Sequence, residues 1–212
     1  MRRMPVPSRR EAARTFLSLG APAWSTQHAC AVADVAAWLA RAAVRNGAPL
    51  DVPAVEAAAL LHDVDKVAGR PPDVRHGDGS AAWLVAHGYG ELGPLARDHP
   101  VTRLADDADT ARLMAAPLEA RIVAYADKRA GQRLETMDSR FASWRRRYPA
   151  GPVETPAGAP VPGKRGWDHE LAERVYQRAL ALERDVCAAA GVEPADVRRL
   201  RWARRALADA AR

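Results

Sequence analysis

The stretch Val55-Glu56-Ala57-Ala58-Ala59-Leu60-Leu61-His62-Asp63 decides how this chain is read. Apolar residues in close succession make a buried helix, and an adjacent imidazole and carboxylate end it. Two explanations fit such a pair taken alone. One is a core histidine satisfied by its neighbours, beside a capping or surface aspartate. The other is a pair of metal ligands set in a dry wall. The partners that the rest of the chain supplies decide between them.

Helical phase supplies two partners. Val32, Val35, Ala36, Leu39 and Ala43 recur at the spacing of one helix face, and His28 stands four residues before Val32 on that face. Val55, Ala58 and Ala59 lead by the same spacing to His62, with Asp63 turned about 100° around the axis. Ile122, Val123 and Ala126 mark a third apolar face, and Asp127 follows Val123 by four. A carboxylate aimed at the interior needs a cation or several donors. One metal ion satisfies all three helices, whereas the alternative takes three private hydrogen-bonding arrangements.

The same periodicity runs through most of the 212 residues, and strand patterning is nearly absent, so the fold class is all-α. Helices are expected over 9–19, from an N-cap at Ser25-Thr26 to Asn46, and over 52–64. Further helices are expected over 80–87, 91–98, 117–134, 137–147, 168–190 and 194–210. Residues 69–79 read as a loop, and Asp106-Asp107-Ala108-Asp109 as a solvated loop or N-cap. Residues 149–167, dense in Pro and Gly, read as a linker or surface loop. The expected organisation is a basic N-terminus over 1–8, a main domain over 9–148, that loop, and a C-terminal helical pair over 168–212. The stripe Leu171, Val175, Ala179, Leu182 and Val186 packs that pair on its own domain or supports a homodimer.

Two cysteines, Cys30 and Cys187, form no C-x-x-C arrangement, so neither a disulfide framework nor a zinc ribbon is indicated and a reducing, cytoplasmic setting is expected. No apolar run reaches the length of a membrane span. The net charge of +6 sits at the ends, +4 in residues 1–10 and +4 in residues 194–212, leaving the body at −2. Solvated Arg-rich tails account for this; nucleic-acid binding is the less favoured account.

His28, His62-Asp63 and Asp127 together resemble the signature of the HD-domain superfamily of metal-dependent phosphohydrolases: His, His-Asp and Asp on separate helices. Over residues 9–148, Leu60-Leu61-His62-Asp63-Val64-Asp65-Lys66 is similar to the family's LLHDIGK segment, and Ala126-Asp127-Lys128 to its ADK helix. The resemblance implies an HD-domain-like helical bundle and a first metal site of His28, His62, Asp63 and Asp127. It further implies a second site completed by His76 and His99, with Asp63 bridging; both histidines also stand by Gly or Pro turns, where solvent exposure is an equally plain role. Asp65 departs from the family pattern, standing where Gly is usual, and either alters the turn or adds a surface carboxylate. The Glu-rich sequence of stringent-response hydrolases and the GYP element of cyclic-dinucleotide enzymes are missing. His87 and His169 read as packing or surface residues.

Imidazole and carboxylate donors suit one or two divalent transition ions: Fe, Mn, Zn, Co or Ni. The expected chemistry is hydrolysis of a phosphate ester or anhydride by metal-activated water, with Asp63 at its centre. Cations outside the metal shell neutralise phosphate charge, and Lys66 and Arg133 are the preferred contacts among Lys66, Lys128, Arg129, Arg133 and Arg140; an exposed basic helix face accounts equally well for the four that follow Asp127. Analogy with small standalone bacterial HD proteins suggests a nucleotide or dinucleoside polyphosphate as substrate. The competing class is an HD fold without catalysis, serving as a binding or regulatory module that touches RNA through its Arg-rich ends.

Overall fold

The computed structural model describes residues 5–131, 134–154 and 160–200. Helix α1 (Arg9–Ser18) opens with a reciprocal cap, in which the Ser8 side chain accepts from the Glu11 amide and Glu11 accepts from the Ser8 amide. The long α2 (Ala23–Arg45) starts earlier than the Ser25-Thr26 cap signal suggests. Pro22 occupies the cap position, Ser25 is buried inside the helix, and the Thr26 hydroxyl donates back to the Ala23 carbonyl. A residue that could cap is therefore absorbed into the helix where packing demands it.

Helix α3 (Val52–Leu61), capped by the Asp51 carboxylate, is enclosed and packs along α2. The expected helix to Val64 is not continuous. It stops at Leu61, Asp63 leaves helical geometry at φ −100°, ψ 17°, and the short α4 (Val64–Ala68) begins beyond it. The His-Asp pair thus stands at a break between two helices. Helices α5 (Asp78–Ala86) and α6 (Gly93–Arg97) lead into a 3-10 segment at Val101–Ala105.

The acidic run caps and enters an unanticipated helix, α7 (Asp107–Ala115). Asp106 accepts from the Asp109 amide, and Asp109 itself is buried against arginines. Helix α8 (Leu118–Arg129) ends five residues before the expected Leu134, because Ala130 turns extended and pairs with Leu134. Helix α9 (Met137–Arg147) follows the Thr136 cap.

The Pro- and Gly-rich stretch carries a small antiparallel hairpin, β1 (Pro152–Glu154) with β2 (Pro160–Arg165), paired with an irregular register. Backbone pairing of this kind leaves no alternation in sequence, which is why the segment reads as a loop. Otherwise the described residues build an all-α fold. Helix α10 (His169–Ala190) is capped by Asp168 and closed by the left-handed Gly191. It buries Val175, Ala179, Leu182 and Val186 within the chain, against α2, α8 and the 3-10 segment. Helix α11 (Pro194–Arg199) is the last described element, so the expected helix beyond residue 200 and most of the basic C-terminal run lie outside the described residues. Among the described residues no helix is long and apolar enough to cross a membrane.

Candidate metal centre

Three helices deliver side chains to one buried point. α2 brings His28, the α3–α4 break brings His62 and Asp63, and α8 brings Asp127. His28 Nε2 lies 3.2 Å from His62 Nε2, 3.2 Å from Asp127 Oδ1 and 3.6 Å from Asp63 Oδ2. His62 Nε2 lies 3.5 Å from Asp63 Oδ2 and 3.7 Å from Asp127 Oδ1. Donors bound at about 2.1 Å to one ion stand roughly 3.0 to 3.4 Å apart in octahedral or tetrahedral arrangements. These separations are near that range and need only small adjustment.

The break after Leu61 has a geometric consequence. Asp63 presents Oδ2 to the His28–His62 side and Oδ1 to a second pair, 3.3 Å from His76 Nε2 and 3.2 Å from His99 Nε2. His76 Nε2 and His99 Nε2 are themselves 3.0 Å apart. The exposed-turn role for these two histidines is therefore overturned: His99 is buried, and both imidazoles meet at Asp63.

Tautomers sharpen the chemistry. His62 Nδ1 donates to the Ala59 carbonyl at 2.7 Å, and His99 Nδ1 donates to the Ala96 carbonyl at 2.6 Å. A carbonyl can only accept, so in the neutral rings Nε2 carries the lone pair. His76 Nδ1 stands 2.9 Å from the Asp65 carboxylate, which fixes the same tautomer. His76 and His99 consequently turn two lone pairs toward each other at 3.0 Å, a contact that needs positive charge between the rings. The donor set of imidazole nitrogens and ionised carboxylates fits divalent transition ions, and its chemistry does not single out one element.

Electrostatics hold the carboxylates ready. Burial pushes Asp63 up, but the surrounding His62, His76, His99 and Lys66 outweigh it and keep it well below the usual range. Burial likewise pushes Asp127 up, while His28 and His62 hold it well down. Burial lowers His99 to about 4, so this ring is neutral at physiological pH and free of a competing proton.

Asp65 is not a surface carboxylate. It is buried, it accepts from His76 Nδ1 and from the Gly77 amide at 3.0 Å, and its own amide is 3.3 Å from the Ser80 hydroxyl. A carboxylate on the far nitrogen of a ligating imidazole sets ring orientation and basicity. The signal for this was the polar residue at a position the family pattern fills with Gly, although the distance to His76 is not legible in sequence. Arg103, also buried, donates to the His76 carbonyl at 3.0 Å and pairs with Asp78 and Asp109. Arg75 and Arg112 join Asp109, and Arg112 reaches Asp98. This network clamps the loop that carries His76.

Gly77 makes the clamp tight. Its φ is +88°, and a Cβ there would stand 2.2 Å from the Arg97 carbonyl. Gly77→Ala is expected to cost about 2 kcal/mol or more, lowering the melting temperature by roughly 4 °C or more in a chain of this size. Thermal unfolding followed by circular dichroism checks it, and a parent-like midpoint contradicts it.

The basic candidates divide. Lys66 Nζ donates to Asp63 Oδ2 at 2.8 Å, and the side chain stays partly exposed. Lys128 and Arg129 are not an exposed basic face, since both are buried. Lys128 is buried with Nζ on the His99 carbonyl at 2.9 Å, so it anchors the backbone of that histidine. Arg129 points to the other side of α8, where it meets Glu183, the Tyr125 hydroxyl and the Pro194 carbonyl. Arg140 donates to the Lys128 carbonyl at 3.1 Å and so closes the end of α8. Arg133 lies outside the described residues. His87 is exposed and stacked on Trp83, and His169 is exposed, so both stay clear of the cluster.

A family model described as HD domain matches residues 26–131, half of the chain, and the matched span contains every residue of the cluster. No curated protein and no solved structure was found to match.

Proposed function

From the premise that the chain belongs to the HD-domain family, a family of metal-dependent phosphohydrolases, we propose that it hydrolyses a phosphate ester or anhydride of a small nucleotide or dinucleoside polyphosphate with two divalent ions. His28, His62, Asp63 and Asp127 would hold one ion; His76, His99 and the second oxygen of Asp63 the other. Bound ions at such a site supply Lewis acidity toward a phosphoryl oxygen and lower the pKa of water toward neutrality. The chain's own residues do the rest. Asp63 keeps the two donor groups at a fixed separation through one carboxylate, and Asp65 and Lys128 fix His76 and His99 from behind. Lys66, beside Asp63 and partly exposed, offers an ammonium to phosphate oxygens at the mouth of the site.

The observation that carries this proposal is the pairing of each Asp63 oxygen with its own two histidines. An HD fold retained only for binding has no need of that full donor set. The test is a hydrolysis screen of pure protein supplemented in turn with Mn, Fe, Co, Ni and Zn, over nucleotides, dinucleoside polyphosphates and simple phosphate esters. Metal-dependent turnover abolished by chelator is expected. No turnover with any added metal defeats the enzyme.

A further inference from the structure

Beside the cluster lies a cleft of about 440 Å³, lined by Trp24, Asp65, Lys66, Gly69, Arg70 and two consecutive prolines, Pro71 and Pro72. Ligand clefts run from roughly 300 to 1,000 Å³. The cleft is tied to the cluster on two sides. Lys66 bonds Asp63, and Trp24 stands four residues before His28, one turn away on α2. The wall formed by Arg70, Pro71 and Pro72 is stiff, because the prolines restrict the backbone and Arg70 Nε donates to the Val74 carbonyl at 3.0 Å.

The lining combines a cation with an aromatic ring. Lys66, bonded to Asp63, and Trp24, whose residue is 54 % exposed, both line it, and Arg70 joins them. A bare phosphate ester uses only the cation. A large indole kept half in solvent beside an anion-binding group suits a flat, π-bearing body joined to a phosphate, since stacking tolerates any base and guanidinium groups add cation–π attraction.

We infer that this cleft is a nucleobase subsite, with the ring stacked on Trp24 and the phosphate directed past Lys66 to the cluster, so that nucleoside phosphates are preferred over esters lacking an aromatic ring. The inference rests on the proposed phosphohydrolase function for the position of the phosphate, and on the cleft alone for the ring.

Two probes separate these dependences. Adenosine carries the ring and nothing to hydrolyse, and its binding to the full chain is followed by ligand-observed NMR. Stacking on an aromatic side chain is worth about 1–3 kcal/mol per base, roughly 5- to 150-fold. Trp24→Ala is expected to weaken adenosine binding by a factor in that range, and Trp24→Phe to keep most of it. In the hydrolysis assay, Trp24→Ala is expected to raise KM for adenosine 5′-monophosphate by a similar factor while leaving KM for ribose 5-phosphate within twofold. Equal adenosine binding by parent and Trp24→Ala, or equal parent KM values for the two esters, overturns the subsite. Trp24-dependent adenosine binding without hydrolysis of either ester supports the subsite and sinks the hydrolase. Hydrolysis of both esters with equal KM does the reverse.

Discussion

Asp63→Asn is expected to lower metal-dependent hydrolysis by about a thousandfold or more, on the order of 4 kcal/mol of transition-state stabilisation, while the protein stays folded. The expectation follows from the position of one carboxylate between two pairs of histidines, with Oδ2 facing His28 and His62 and Oδ1 facing His76 and His99. An amide keeps the size of the side chain and one acceptor oxygen, but it loses the charge and turns NH2 toward one of the pairs. Metal content should therefore fall from two ions to one at most, together with activity. Circular dichroism that matches the parent, combined with lost turnover, separates this effect from unfolding. A variant with parental kcat/KM and parental metal content would contradict the bridging role.

Asp65→Ala is expected to weaken binding of the second ion by about 10- to 100-fold, the cost of removing the partner that orients a ligating histidine. The ring of His76 loses the acceptor on Nδ1, and the Gly77 amide loses its carboxylate. The loss should appear as a higher metal concentration for half-maximal activity, with much of kcat restored at saturating metal. That rescue is the mark of a positioning residue, because a residue that touched the substrate would leave kcat low at any metal concentration. Some stability is lost as well, about 1–3 kcal/mol for the buried amide left unpaired. A parental metal titration would show that His76 needs no such support.

The parts of the fold and of the site that were legible in sequence are those governed by local periodicity. His28, His62 and Asp127 each continue an apolar stripe, and helical phase alone turns them inward, as the buried cluster has them. The convergence of His76 and His99 was accessible only through the resemblance to a known family, since both stand near turns and no period points them anywhere. The break at His62-Asp63, between α3 and α4, was hidden, because Ala59 to Lys66 contains no Gly or Pro to announce it. That break is what lets Asp63 reach both sides.

Other features depend on partners far away in the chain. Arg129 follows Asp127 by two residues and reads as a phosphate candidate or part of an exposed basic face, yet it is buried against Glu183, 54 residues later. Lys128 is drawn inward by the His99 carbonyl. Asp109 sits in a run that reads as solvated, and it is covered by three arginines from separate segments. Long-range pairing of this kind leaves no trace in a local window, and only the assembled fold supplies it.

Metal stoichiometry tests the central claim most directly. Pure protein is stripped with chelator, reconstituted with Mn2+, freed of excess ion by gel filtration and analysed by inductively coupled plasma mass spectrometry. Two ions per chain are predicted for the parent. One ion or none in the parent would contradict a two-ion centre bridged by Asp63.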